Sequence, residues 1–154
     1  MTDPLEKLVS GGMLVPQPAT DDEIAGVWTN ALSAYGDART HGLSDAGRVV
    51  RAYDAGLLAA YALVRARDLK ARAQNHHEVT LTAAVAIGGA PFERAMRELS
   101  QTRRIRNTLE YGWEQASERD AEQAVAAAGQ LLSLAASVLH ARRPSIAGRI
   151  AAPQ

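Results

Sequence analysis

The sequence predicts an all-α fold, an up-and-down bundle of four helices in which the third is broken near Gly88–Pro91. Three observations lead to this prediction. The chain has 154 residues, of which 47% are apolar, enough for one hydrophobic core. Only 5% of residues are aromatic, and the abundant alanine suits closely packed helices better than a β-sandwich. The apolar residues also recur at helical spacing.

Composition and the absence of certain motifs narrow the class of protein. There is no cysteine, which excludes disulfides and thiolate metal sites. No apolar run approaches the length of a membrane span, and the Met-Thr-Asp-Pro start lacks the features of a signal peptide. We therefore expect a cytoplasmic protein without a membrane partner. No cofactor is expected, because nothing around Gly88-Gly89 forms a phosphate loop.

We divide the chain into three parts. Residues 1–19 contain two glycines and two prolines within ten positions, which favours an irregular lead-in. Residues 20–140 form the predicted bundle. Residues 141–154 have the composition of a frayed or accessory C-terminal tail.

The first two predicted helices begin at recognisable caps. Thr20 followed by Glu23 is a capping-box pattern, and Gly36 is the predicted end of that helix. Ser44 caps the second predicted helix, which carries a broad apolar stripe and continues to Arg72.

The third predicted helix begins after Asn75, with Glu78 three residues later, and is broken at Gly88-Gly89. It resumes with Pro91 in the first turn. The last predicted helix has Ser117 and Asp120 as its capping pair.

This last helix is rich in alanine and leucine and ends at about residue 140. The adjacent His76 and His77 point about 100° apart on a helix, so no metal site is predicted there.

Charged residues are clustered although the formal net charge is zero, from 17 basic and 17 acidic residues. Asp21, Asp22 and Glu23 form an acidic start. Basic residues gather in three groups, within 65–72, 94–106 and 142–149. Such groups can create a local positive patch on a neutral protein. They are also what an arginine-rich composition produces when arginine merely solvates the surface.

An arginine interrupts the apolar face of the helix that follows Pro91. Phe92 and Leu99 belong to this face, and steps of three and four residues from them reach Arg106. The following residues on or beside this strip are polar or aromatic: Arg103, Asn107, Glu110, Tyr111 and Trp113.

A guanidinium does not lose its proton, so a buried one must be paired or face a wet cavity. One interpretation is an internal ion pair between Arg106 and Glu110. The other is a polar cleft in which arginine binds phosphate through its planar fork.

The chain resembles the HEPN superfamily of small helical domains. The resemblance is carried by Ser44 to Glu78, with "HH" before the third helix, and by "RRIRNTLEYG" from Arg103 to Gly112. Active members of that family are metal-independent ribonucleases with an arginine, a polar residue and, four to six positions after the arginine, a histidine. The resemblance implies a bundle of HEPN type in which Arg106 is the motif arginine and Asn107 the polar residue.

The motif histidine is missing. Tyr111 stands where the shortest form of the motif has histidine, and no histidine occurs between Arg106 and His140. Tyrosine, with a pKa near 10, is a poor general base at neutral pH. The resemblance thus implies binding of RNA or a nucleotide phosphate in a toxin–antitoxin or phage-defence setting, without efficient catalysis. Arg106, Asn107 and Tyr111 are the predicted catalytic set, and Arg103, Glu110 and Trp113 the predicted substrate contacts.

The family resemblance also implies partners. HEPN domains dimerise so that two motif strips face each other, which predicts a homodimer here, and an antitoxin or another protein is a possible further partner. Two alternatives remain open. The Arg-Asn motif can be purely structural, in a dimerisation or docking module, or Tyr111 can replace histidine in a metal-independent endoribonuclease.

Overall fold

The fold is mostly helical, as predicted, with a small two-stranded sheet in addition. The computed structural model describes residues 3–72, 74–111 and 115–153; within 102–111, side chains are described only at Arg104. The helices in chain order are α1 Pro4–Ser10, α2 Asp21–Arg39, α3 Asp45–Arg65, α4 His76–Gly88, α5 Ala90–Tyr111 and α6 Glu118–Arg142. The strands are β1 Leu14–Pro16 and β2 Leu69–Ala71, and a 3-10 helix spans Pro144–Arg149.

Helix α3 lies at the centre of the fold. It packs against α2, α6, α4 and α5. Most of its alanines are fully buried, and they allow neighbouring helices to approach closely. The largest buried side chains of the main core include Trp28, Tyr53, Phe92 and Leu131. A smaller apolar cluster, which includes Leu5 and Leu14, joins α1 and β1 to α3 and α4.

The predicted N-caps are present at three helices. Thr20 Oγ1 accepts a hydrogen bond from the Glu23 amide at 3.1 Å, and Ser44 Oγ accepts one from the Gly47 amide at 3.0 Å. At α6 both arms of the capping box form between Ser117 and Asp120. Each of these bonds satisfies an amide that the helix itself leaves without a partner.

Two predicted helix ends are wrong. Helix α2 continues through Gly36 to Arg39; glycine is tolerated within an exposed helix, and packing of the later turn (Ala38 is buried) outweighs its cost. Helix α3 ends at Arg65, not at Arg72. The chain turns there through Asp68, whose φ is +56°, and β2 then pairs antiparallel with β1.

The break between the third and fourth helical segments is where the sequence predicts it. Helix α4 ends at Gly88, and Gly89 has a φ of +80°, a conformation that favours glycine. Pro91 lies in the first turn of α5. Asn75 is the residue before α4, as predicted, but its side chain makes no capping hydrogen bond, because the residue is left-handed with a φ of +55°.

Both terminal segments contain more structure than the sequence predicts. The first segment, expected to be irregular, contains α1 and β1. In the last segment Ile146 and Ile150 are both buried. The Trp28 indole N–H also donates to the Ala151 carbonyl at 2.9 Å. The tail is therefore packed onto α2 and α6, because its two isoleucines complete the core.

Candidate functional site

The first half of α5 supplies part of the core. Phe92, Ala95 and Leu99 are fully buried and Met96 is nearly so, which confirms the predicted apolar face. Arg106 occupies the register position two turns after Leu99 on the same continuous helix.

The predicted site residues lie in or just after the second half of α5. The backbone of this helix carries Arg103, Arg106, Asn107, Glu110 and Tyr111 on consecutive turns. The side chains of these five residues, and the whole of Trp113, lie outside the described part of the structure. Whether the polar strip is an internal ion pair or an open cleft therefore stays a prediction.

A groove of about 660 Å³ runs between α4 and α5, beside the predicted site. We call it the α4–α5 groove. Its α4 wall consists of Glu78, Leu81, Thr82 and Val85. Its α5 wall consists of Met96, Arg97, Ser100, Gln101 and Arg104. The groove therefore has an apolar floor between polar edges, and two arginines belong to one edge.

The charged groups of the groove lie on opposite walls. Arg97 pairs with Glu93 at 3.8 Å, but both side chains are mostly exposed, so this ion pair holds Arg97 only weakly. Two hydroxyl protons are already used within the helices. Ser100 Oγ donates to the Met96 carbonyl at 3.0 Å, and Thr82 Oγ1 donates to the Glu78 carbonyl at 2.9 Å. Hydrogen bonds to an anion in this groove would thus come mainly from the α5 wall.

Three arginines from two of the basic groups pair with the acidic start of α2. Glu23 binds Arg65 at 3.1 Å and Asp21 binds Arg143 at 3.0 Å. Asp22 binds Arg149 at 2.8 Å. These arginines hold the fold together and do not form a positive patch. In the third group, on α5, Arg97 pairs with Glu93 of the same helix, and both side chains are mostly exposed.

Arg65 is a buried arginine that sequence analysis did not single out, and Arg48 is another. Only 1% of its side chain is exposed. Its Nε and Nη2 donate to the two carboxylate oxygens of Glu23, at 3.1 and 3.3 Å. Nη1 donates to the carbonyls of Gln17 and Leu69, and Nη2 also donates to that of Pro18. All five N–H donors are used, so this guanidinium is structural.

The sequence gives little indication that Arg65 is buried and structural. Arg65 follows a buried apolar run in α3, as Arg106 follows one in α5, but its acidic partner is more than forty residues earlier.

Asp68, in the turn after α3, forms hydrogen bonds with the segment before α2 and with the residue after α6. Its Oδ1 accepts from the Ala19 amide at 3.0 Å and from Arg143 Nη2 at 2.9 Å. The hydrogen bond from Ala19 is the main cause that lowers the pKa of this carboxyl, and the charges of Arg143 and Arg65 lower it further. Burial opposes these effects.

The paired histidines begin α4, and both are exposed. Their rings meet edge to face, with centroids 4.1 Å apart. Within residues 3–72, 74–111 and 115–153, no group of three or more histidine, aspartate or glutamate side chains could hold a metal ion. We find no metal centre to describe in that part of the chain.

The chain matches no family model, no curated protein and no solved structure. Its function must therefore be argued from its own residues and from the resemblance above.

Helix α6 is long and apolar enough to cross a membrane by length and composition. A core helix of a globular protein passes the same test, and one face of α6, including Leu131, Leu132 and Leu139, is buried in this core. Its composition is therefore weak evidence for a membrane span.

Proposed function

We propose that this chain is a HEPN-type four-helix domain that binds RNA or a nucleotide phosphate along α5, in a toxin–antitoxin or phage-defence setting. Arg106 and Asn107 are the centre of the proposed site, with Arg103 beside them. The mostly helical fold and the unbroken α5 backbone support it. On a continuous helix, residues three or four apart lie on the same face. Side-chain donors at this spacing can contact successive phosphates of a nucleic-acid backbone.

The observation that carries the proposal is the distribution of paired arginines. Arg65 and Arg143 are held by Glu23 and Asp21 and by backbone carbonyls, so they have little capacity left for a ligand, and Arg149 pairs with Asp22. Arg97 and Arg104 of α5 instead line the α4–α5 groove. On a chain with zero formal net charge, these two arginines give the groove a local positive charge that favours an anion.

We favour binding over efficient catalysis. Arginine and asparagine can hold a phosphate, but proton transfer from a ribose hydroxyl needs a base, and Tyr111 stands at the position of the histidine. In the proposed homodimer two α5 strips face one shared groove. An anion between them would offset the repulsion between two Arg106 side chains.

The test is RNA cleavage and RNA binding by the same purified protein in EDTA. Binding is followed by fluorescence anisotropy of a labelled single-stranded RNA at salt concentrations from about 50 to about 200 mM. Wild type is compared with Arg106→Ala and with Arg149→Ala. The second variant also removes one positive charge, from an exposed ion pair outside α5. Circular dichroism shows whether each variant is folded.

We expect RNA binding that weakens with salt, a clear loss of affinity in Arg106→Ala and none in Arg149→Ala. Cleavage lost in both Arg106→Ala and Tyr111→Phe would establish the ribonuclease alternative. If the folded wild type neither binds nor cleaves RNA, the proposal fails and the motif belongs to a dimerisation or docking module. The mass of the protein in solution then shows whether a dimer forms at all.

A further inference from the structure

A second cavity, of about 450 Å³, lies beside the small sheet and apart from the α4–α5 groove. We call it the sheet cavity. It lies between strands β1 and β2, the last turns of α3 and the first turns of α4. Its lining residues are Val15, Gln17, Tyr61, Lys70, Ala71, His76 and Thr80. No carboxylate is among these lining residues.

The small sheet positions Lys70, the lysine of this cavity. Val15 and Lys70 are direct partners in the antiparallel ladder, and partners in a ladder project from the same face of the sheet. Lys70 is half-buried and, within the described part of the chain, makes no ion pair. A half-buried ammonium beside apolar side chains gains from an anionic partner.

Thr80 brings a hydroxyl to the same cavity from α4. The residue is only 3% exposed, yet it lines the cavity. Among the described residues its hydroxyl has no hydrogen-bond partner, unlike Thr82 on the same helix, whose hydroxyl donates to the Glu78 carbonyl. Because this hydroxyl lines the cavity and makes no hydrogen bond to the described residues, it can donate its proton to a ligand there.

The start of α4 contributes partial positive charge. This helix has 13 residues, and Asn75 before it provides no side-chain cap. The amides of the first turn are therefore not satisfied by Asn75, and the positive end of the helix dipole lies near His76, which lines the cavity. Helix starts of this kind bind phosphate in many proteins.

We propose that the sheet cavity binds a phosphate monoester, independently of the proposed RNA groove. Lys70 supplies positive charge, Thr80 donates a hydrogen bond, and the start of α4 favours the dianion. The cavity is larger than a bare phosphate needs. The ring of Tyr61 with Val15 and Ala71 offers an apolar wall to the organic part of the ester.

The test is isothermal titration calorimetry of the full chain at neutral pH with three probes. These are phenyl phosphate, inorganic phosphate and phenol. We expect phenyl phosphate to bind more tightly than inorganic phosphate, because it also fills the apolar side of the cavity, and phenol not to bind. Adenosine monophosphate is then compared with adenosine, to show whether a nucleotide is also accepted.

Two variants assign the binding to this cavity. Lys70→Met removes the charge but keeps the length of the side chain, and we expect phenyl phosphate to bind roughly tenfold more weakly or worse. Thr80→Val removes only the hydroxyl and should also weaken binding, while leaving the thermal stability equal or higher, because no hydrogen bond within the described protein is lost. Lys7→Met is the matched control, since Lys7 is exposed on α1.

The outcomes separate this proposal from the RNA groove. Arg106→Ala should leave the binding of phenyl phosphate unchanged, whatever it does to RNA. If folded wild type shows no heat with phenyl phosphate, or if Thr80→Val and Lys70→Met bind it as wild type does, the sheet cavity is not a phosphate site. If Lys7→Met lowers the affinity for phenyl phosphate as much as Lys70→Met does, the loss reflects only the net charge of the protein. That result would also overturn the proposal.

Discussion

Leu99 of α5 occupies the space in which Gly56 of α3 would carry a side chain. A Cβ atom built on Gly56 would lie 2.6 Å from Leu99 Cδ2 and 3.3 Å from Leu131 Cδ1. The crossing of α3 and α5 therefore requires glycine at this position. This close approach positions α5 against the core.

Gly56→Ala should destabilise the protein by about 1–3 kcal/mol, because the added methyl group forces Leu99 from its position. Urea denaturation measures the change. Gly26→Ala is the matched control, since a Cβ at this exposed α2 position meets nothing within 4 Å. There the substitution should be neutral or stabilising, by up to about 1 kcal/mol. Equal effects at the two positions would contradict the close packing of α3 and α5.

Arg65→Met should cost about 3 kcal/mol or more, because three carbonyls and the Glu23 carboxylate lose their donor together. Arg65→Lys should recover only part of this stability, since an ammonium cannot reproduce the planar fork. Arg67→Met is the control, because Arg67 makes no ion pair with the described residues. A small effect of Arg65→Met in urea denaturation would show that the buried network is dispensable.

Asp68 should make the protein sensitive to acid. Its folded pKa is lowered below the ordinary value of 3.8, so its carboxylate stabilises the fold above that pH. This contribution is lost as the pH falls through the lowered folded pKa. Asp68→Asn keeps an oxygen acceptor and tolerates the positive φ.

We expect the stability of Asp68→Asn to change less than that of wild type between about pH 6 and about pH 3. Urea denaturation across this range is the measurement. Parallel curves for the two proteins would show that Asp68 has no such role.

Arg97→Gln should weaken RNA binding to a similar degree for every RNA sequence. If Arg97 contacts one phosphate, the slope of log affinity against log salt should decrease by about 0.7, the value for one contact to a single strand. Arg149→Ala should leave the slope unchanged. An unchanged slope in Arg97→Gln would remove the exposed end of the α4–α5 groove from the proposed binding surface.

Deleting residues 144–154 should destabilise the domain by several kcal/mol. Ile146 and Ile150 are 1% exposed, and each buried isoleucine contributes about 2–5 kcal/mol when compared with alanine. Deleting only Pro153 and Gln154 is the control and should have little effect. If the longer deletion unfolds at the same urea concentration as wild type, the tail is accessory after all.

Local signals predicted much of this fold. The caps at Thr20, Ser44 and Ser117 and the glycine break before Pro91 depend on neighbouring residues and were all placed correctly. Gly36 was misjudged because an exposed glycine costs a helix only about 1 kcal/mol, which packing of the next turn offsets. The early end of α3 was missed because it depends on pairing between two three-residue strands that are far apart in the chain.

Long-range partners explain the remaining differences. Arg65 is structural because it binds Glu23, which lies 42 residues earlier in the chain. Arg143 likewise binds Asp21, which lies 122 residues earlier. No local pattern indicates such a pairing. The strip around Arg106 was located in the sequence by helical register alone, and register does not specify what its side chains contact.

The contact between the two ends of the chain has a consequence for how the protein is made. Trp28 and Ala151 are 123 residues apart in sequence, and Ile146 and Ile150, which complete the core, lie similarly far from α2 in sequence. During translation α2 therefore lacks part of its packing until residues 146–151 have been synthesised and have left the ribosome. Until then the nascent chain exposes an apolar surface around Trp28, which makes this interval the one in which a chaperone would be most useful.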